Sequence, residues 1–197
     1  MNYGIAHGIS GIILYLVNFP LTCQRNEVTK IKEICTKCIN RLLDANNPNN
    51  GDISLFRRDE ITRTYDTKLG WCQGDLSIGY MLSKVYTQFP DIVPVEKLNY
   101  ILDRTLVRSN NENIADFCLC HGAIGISLLY YLQYKERTSE NYLSMFTYWL
   151  KRAIELYQSG VRNPIYKEYG LGLGLLLGEV GIGLYLIGHF FSNRKEL

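Results

Sequence analysis

The chain alternates two kinds of apolar segment. Four runs, Gly8 to Val17, Leu76 to Phe89, Gly122 to Tyr134 and Val180 to Phe191, are apolar on nearly every side and begin beside paired glycines. Three others, Glu27 to Asp44, Val95 to Val107 and Glu140 to Tyr157, space their apolar residues at helical period with polar residues between. In Glu27 to Asp44 the stripe is Val28, Ile31, Ile34, Cys35, Cys38, Ile39, Leu42 and Leu43; in Glu140 to Tyr157 it is Leu143, Phe146, Trp149, Leu150, Ala153, Ile154 and Tyr157. A 3.6-residue period predicts helices with one buried face. The uniformly apolar runs predict helices buried on several sides. Strand signals are weak throughout, so the chain reads as all-α, with glycine-led inner helices and amphipathic outer ones.

The glycines form an internal repeat. Gly8-Ile9-Ser10-Gly11, Gly74-Asp75-Leu76-Ser77-Ile78-Gly79, Gly122-Ala123-Ile124-Gly125 and Gly178-Glu179-Val180-Gly181 each open an inner helix, with first glycines 66, 48 and 56 residues apart. That spacing accommodates a helical hairpin and a variable loop. Glycine at a helix start lets neighbouring backbones approach closely. The connection from Asn46 to Gly70, containing Asn46-Asn47-Pro48-Asn49-Asn50-Gly51, is the clearest loop, and connections of that length in compact domains are often functional.

Composition adjusts this picture only in places. At 197 residues, 47% hydrophobic and 20% charged, the chain fits one globular domain spanning 1–197. A net charge of +2, without basic clusters, gives no electrostatic footprint for nucleic acid. Gly170 to Phe191 is nearly as apolar as a membrane span, yet its glycines predict a loop feeding a helix. The N-terminus carries no secretory-signal pattern, so the six cysteines are expected in a reducing cytoplasm, where cysteine beside histidine points to metal binding or catalysis.

Cys72 and the adjacent Cys120 and His121 lie just before repeat glycines. Two thiolates and an imidazole match the three protein ligands of many catalytic zinc sites, with a fourth position left for water or substrate, and a helix N-terminus favours a thiolate. The spacing matches no short zinc motif, and buried cysteines commonly serve as small hydrophobes. Cys118 is a second candidate for the place of Cys120. Cys35-Thr36-Lys37-Cys38 has redox or zinc spacing but falls within an amphipathic helix and reads as core. Asp75 and Glu179, at helix starts, read as carboxylates meeting the helix dipole. Tyr130, Tyr131 and Tyr134 read either as core or as the lining of a peptide groove.

The ordered motifs His7-Gly8-x-x-Gly11, Trp71-Cys72-x-Gly74-x-x-x-x-Gly79 and Cys120-His121-Gly122-x-x-Gly125, followed by Gly178-Glu179-Val180-Gly181-Ile182-Gly183, resemble those of the lanthionine synthetase C-like family, the zinc-dependent lanthipeptide cyclases. The resemblance runs from about Gly4 to Phe191. It implies an α/α toroid of inner and outer helices, zinc held by Cys72, Cys120 and His121, and His7 as the active-site histidine. It further implies addition of cysteine thiols of a dehydrated precursor peptide to dehydroalanine or dehydrobutyrine, closing thioether rings. Dehydratase and transporter partners at the inner face of the membrane also follow from the resemblance. Family cyclases are about twice this length, with further repeats before the histidine motif and an aspartate implicated in proton transfer. The chain therefore resembles the C-terminal half, and a partial, open toroid is expected, with a missing N-terminal half among its partners. The rival reading is a non-catalytic, zinc-stabilised module that binds a peptide or partner. An α/α-toroid carbohydrate enzyme would need paired catalytic carboxylates, which the motifs do not supply.

Overall fold

The computed structural model describes residues 1–19, 24–46, 54–109, 114–160 and 171–192. Cys23 and the Pro48 to Gly51 part of the long loop lie outside these residues. Among the described residues there are seven α-helices and no strand: α1 (Ile9–Asn18), α2 (Arg25–Asp44), α3 (Asp75–Gln88), α4 (Val95–Ser109), α5 (Ala123–Arg137), α6 (Glu140–Gln158) and α7 (Glu179–Ser192), with a 3-10 turn at Leu171–Leu173. Extended pairing is limited to two isolated antiparallel bridges, Asn2 with Asp59 and Asn46 with Phe56. The chain divides into two compact units, Met1–Glu112 and Asn113–Leu197.

In the first unit the glycine-led helices α1 and α3 pack on each other, and each also packs on the amphipathic helix that follows it, α1 on α2 and α3 on α4. Helix α2 starts with a reciprocal capping box in which Gln24 and Glu27 satisfy each other's backbone N–H groups. It buries Ile31, Cys35, Ile39 and Leu42, a stripe at steps of four, four and three, and leaves Ile34 exposed. Helix α3 buries nearly all its residues from Asp75 to Val85, as its uniform apolarity predicts. Gly79 is where α4 comes closest: a Cβ there would press on Leu102.

The second unit repeats the plan. Helix α5 packs on amphipathic α6 and on the next glycine-led helix, α7. Helix α6 buries Tyr142, Phe146, Trp149, Ala153 and Leu156, whereas Ile154 and Tyr157 of the expected stripe are exposed. Tyr130 is fully buried and stacks on Tyr142 with ring centroids 6.4 Å apart, so this tyrosine is core. Ser127 Oγ donates to Phe146 O at 3.1 Å and lies 3.1 Å from Tyr185 Oη, joining α5 to both neighbours. Burial pushes the Tyr185 phenol up to about 12. Some apolar residues of the glycine-led helices stay exposed, among them Ile12 and Tyr15 on α1 and Leu184 and Ile187 on α7. No helix among the described residues is long and apolar enough to cross a membrane.

Candidate metal centre

The inner helices begin without side-chain caps on Gly8, Gly74 and Gly122. Backbone carbonyls replace them. The loop before α1 folds back so that Asn2 O accepts from Ile9 N at 2.9 Å. The loop before α5 does so three times, with Asp116 O, Phe117 O and Cys118 O accepting from Ala123, Ile124 and Gly125 at 2.9, 3.2 and 3.4 Å. These bonds answer the otherwise unpaired N–H groups of a helix start. They also explain the repeat glycines. A Cβ on Gly8, Gly74, Gly122 or Gly178 would collide with the carbonyl oxygen six residues earlier, of Asn2, Lys68, Asp116 or Gly172 respectively. The second glycines Gly11 and Gly181 stand in the same relation to Ile5 and Leu175.

Each helix is thus entered through a tight loop closed on a glycine, and the candidate site residues fill the two positions just before that glycine. Counting back from it, the pairs are Ala6-His7, Cys72-Gln73, Cys120-His121 and Leu176-Leu177. Three loops carry a thiol or an imidazole there, and the fourth carries leucines. Within the first unit Ala6 N donates to Cys72 O at 3.2 Å, and Gly4 lies against the same carbonyl. The His7 and Cys72 loops are therefore brought together by their main chains. Within the second unit Cys120 N donates to Leu176 O at 2.9 Å. The zipping uses the same repeat position in both units.

Cys72, Cys120 and His121 are half-buried, and His7 is exposed. His7 lines an apolar groove of about 1020 Å³ whose walls include Ile5, Ile12, Tyr15, Cys38 and Trp71. None of Cys35, Cys38, Cys72, Cys118 and Cys120 is in a disulfide. Cys35 is fully buried on α2, and burial, reinforced by neighbouring Cys38, pushes its thiol up to about 11. A thiol so held is a poor nucleophile and ligand at neutral pH, in keeping with a core role for Cys35, whereas Cys38 is only half-buried and faces the groove. Half-buried thiols and an imidazole, presented on turns ahead of helix N-termini, suit zinc by donor type and by electrostatics. A carboxylate oxygen of Asp116, Cys118 Sγ and a ring nitrogen of His121 also lie within 4.8 Å of one another.

Two carboxylates exceed what the sequence suggests. Asp75 does more than meet the α3 dipole: it is fully buried, forms an ion pair with Arg108, and accepts from the backbone N–H groups of Leu55 and Phe56 at 2.8 and 3.0 Å. Arg108, 9% exposed, also donates to Thr67 O at 2.8 Å. Burial raises the carboxyl pKa of Asp75, against the pull of the guanidinium and the two amides. The network fixes the segment 54–67, which leads into the Cys72 loop. The other carboxylate is Asp116, beside His121. A charged residue before a motif carries no signal in one sequence, and only folding of the loop brings it there.

The profile of the lanthionine synthetase C-like protein family matches residues 1–195. The chain belongs to that family. A search of curated proteins finds no match.

Proposed function

We infer that the chain, as one lanthionine synthetase C-like domain over 1–197, acts as a zinc-dependent cyclase in making thioether-bridged peptides, on a dehydrated precursor peptide. The reading is carried by one observation: the positions that hold ligand and acid-base residues in the family's motifs are, in this chain, the two residues ahead of each loop-closing glycine. Cys72, Cys120 and His121 are the residues that would hold zinc. Bound zinc lowers the pKa of a coordinated thiol, so that the peptide cysteine is reactive near neutral pH.

The reaction adds S–H across a carbon–carbon double bond. A sulfur–carbon bond forms at the β-carbon of the dehydro residue, the electron pair moves to the α-carbon, and a proton is returned there, so no oxidant or further reactant is consumed. An imidazole can both accept and donate a proton, and His7 lines the apolar groove. It delivers the proton at the α-carbon. The apolar walls of Ile5, Ile12, Tyr15 and Trp71 suit a peptide backbone bearing dehydrated side chains. Dehydratase and transporter partners, and a cytoplasmic location at the membrane face, belong to the same reading.

Metal analysis of the purified chain tests the assignment. About one zinc per chain is expected, with Cys72→Ala and Cys120→Ala each losing it; undiminished zinc in both variants would remove the site. His7→Asn is expected to keep its zinc while ring closure on a dehydrated peptide falls on the order of 10²–10⁴-fold, the usual worth of a positioned acid–base group. Ring closure at the unaltered rate would take His7 out of the chemistry.

A further inference from the structure

We propose that Asp116 is a positioning residue for His121, accepting a hydrogen bond from one imidazole nitrogen so that the other is presented to the metal. The proposal rests on the zinc reading above. Asp116 sits in the loop closed by Gly122, and its three oxygens are differently occupied. The main-chain oxygen accepts from Ala123 N at 2.9 Å and so caps α5. Oδ1 accepts from Cys118 N at 2.7 Å. Oδ2 is buried and has no hydrogen-bond partner among the described residues.

A buried carboxylate oxygen left unpaired is costly, because it has given up water without gaining a donor. Its surroundings supply one. The carboxylate lies within 4.8 Å of a ring nitrogen of His121 and of Cys118 Sγ, and His121 is half-buried on the turn before Gly122. A metal-ligating histidine almost always gives its second ring N–H to a carboxylate, carbonyl or water, which fixes the tautomer and raises the basicity of the ligating nitrogen. A small rotation of the His121 ring satisfies Oδ2 and sets that tautomer at once.

The same cluster could instead be a ligand set, with Asp116 and Cys118 binding metal alongside His121. Burial argues against this. Cys118 is fully buried, and its main chain is tied on both sides, by Asp116 Oδ1 and by Gly125 N, whereas Cys120 is half-exposed at the loop tip. The closed loop holds Cys118 inward as core.

The test is zinc affinity of the full chain, measured by competition with a chromophoric chelator, with the visible spectrum of the cobalt(II)-substituted protein as a second readout. Asp116→Asn keeps an oxygen for Cys118 N but can turn an amide donor towards His121. It is expected to bind zinc about 10–100-fold more weakly, with an altered cobalt spectrum. Asp116→Ser also retains an acceptor for Cys118 N, and is expected to lose affinity similarly should the asparagine variant fold poorly. In a His121→Cys background, where a thiolate ligand has no second N–H to orient, the Asp116→Asn penalty is expected to vanish. Cys118→Ala is expected to bind as the unaltered chain does. Unchanged affinity in both Asp116 variants, persistence of the penalty with His121→Cys, or loss of zinc on Cys118→Ala would each overturn the proposal. Absence of zinc from the unaltered chain would overturn the zinc reading as well, so the two failures are distinguishable.

Discussion

Replacing Asp75 by alanine is expected to destabilise the protein by about 3–5 kcal/mol, the usual cost of removing one partner from a buried ion pair. Three donors lose their acceptor at once. Arg108 would lose the carboxylate it pairs with, and the N–H groups of Leu55 and Phe56 would lose the oxygens that accept from them. A domain stable by about 5–15 kcal/mol would lose a large share of its margin. Arg108→Ala is expected to cost less, because Asp75 would keep its two amide donors, and Thr67 O would lose only one bond. The double variant should cost less than the sum of the two singles, since each single leaves a charge that the double removes. Urea unfolding of the four proteins gives the comparison. A loss below about 1 kcal/mol for Asp75→Ala would mean that the pair does not anchor segment 54–67 as described.

How far these features can be read in advance depends on whether they leave a periodic trace. The helices do. Ile31, Cys35, Ile39 and Leu42 on α2, and Phe146, Trp149 and Ala153 on α6, are spaced as burial of one face demands, and the elements start and stop within a few residues of the expected ends. Uniform apolarity is as legible in α3 and α5, which bury most of their residues, but it overstates burial on α1 and α7, where Ile12, Tyr15, Leu184 and Ile187 are exposed. The outer edge of a stripe is not legible, because Ile34, Ile154 and Tyr157 satisfy the period yet remain exposed, Tyr157 while its ring packs edge-on against Phe117. Glycine placement is visible in the sequence while its cause is not. The atoms that exclude a Cβ at Gly8, Gly74 and Gly122 are main-chain atoms, which every residue possesses. The Asp75–Arg108 pair spans 33 positions with no pattern joining them, so a carboxylate at a helix start is read as a dipole partner. Asp116 escapes notice for the same reason. His7, Cys72, Cys120 and His121, in contrast, stand out because thiols and imidazoles recur at the two repeat positions before a glycine that the loop requires, cysteine at the first and histidine at the second.

The second large effect is expected at Gly74, and a second glycine separates its causes. Gly74 has φ of 138°, in a region essentially restricted to glycine, and a Cβ there would collide with Lys68 O. Gly160 also has a positive φ, 69°, but lies in the ordinary left-handed region with nothing within 4 Å of an added Cβ. Alanine at Gly160 should therefore cost about 1 kcal/mol, the left-handed penalty alone. Alanine at Gly74 should cost about 1–3 kcal/mol for the backbone conformation and about as much again for the collision, because the opposing atom is main chain and cannot rotate away. The consequence reaches the site. Lys68 O and Gly74 close the loop that presents Cys72, and Cys72 O in turn holds Ala6 N, so relief of the collision opens the loop and loosens the His7 turn with it. Gly74→Ala is accordingly expected to lose zinc affinity as well as stability, whereas Gly160→Ala keeps its affinity. Thermal unfolding and chelator competition on the two variants measure both effects. Equal losses of stability, or zinc binding at full strength in Gly74→Ala, would show that the closed loop is not what positions Cys72.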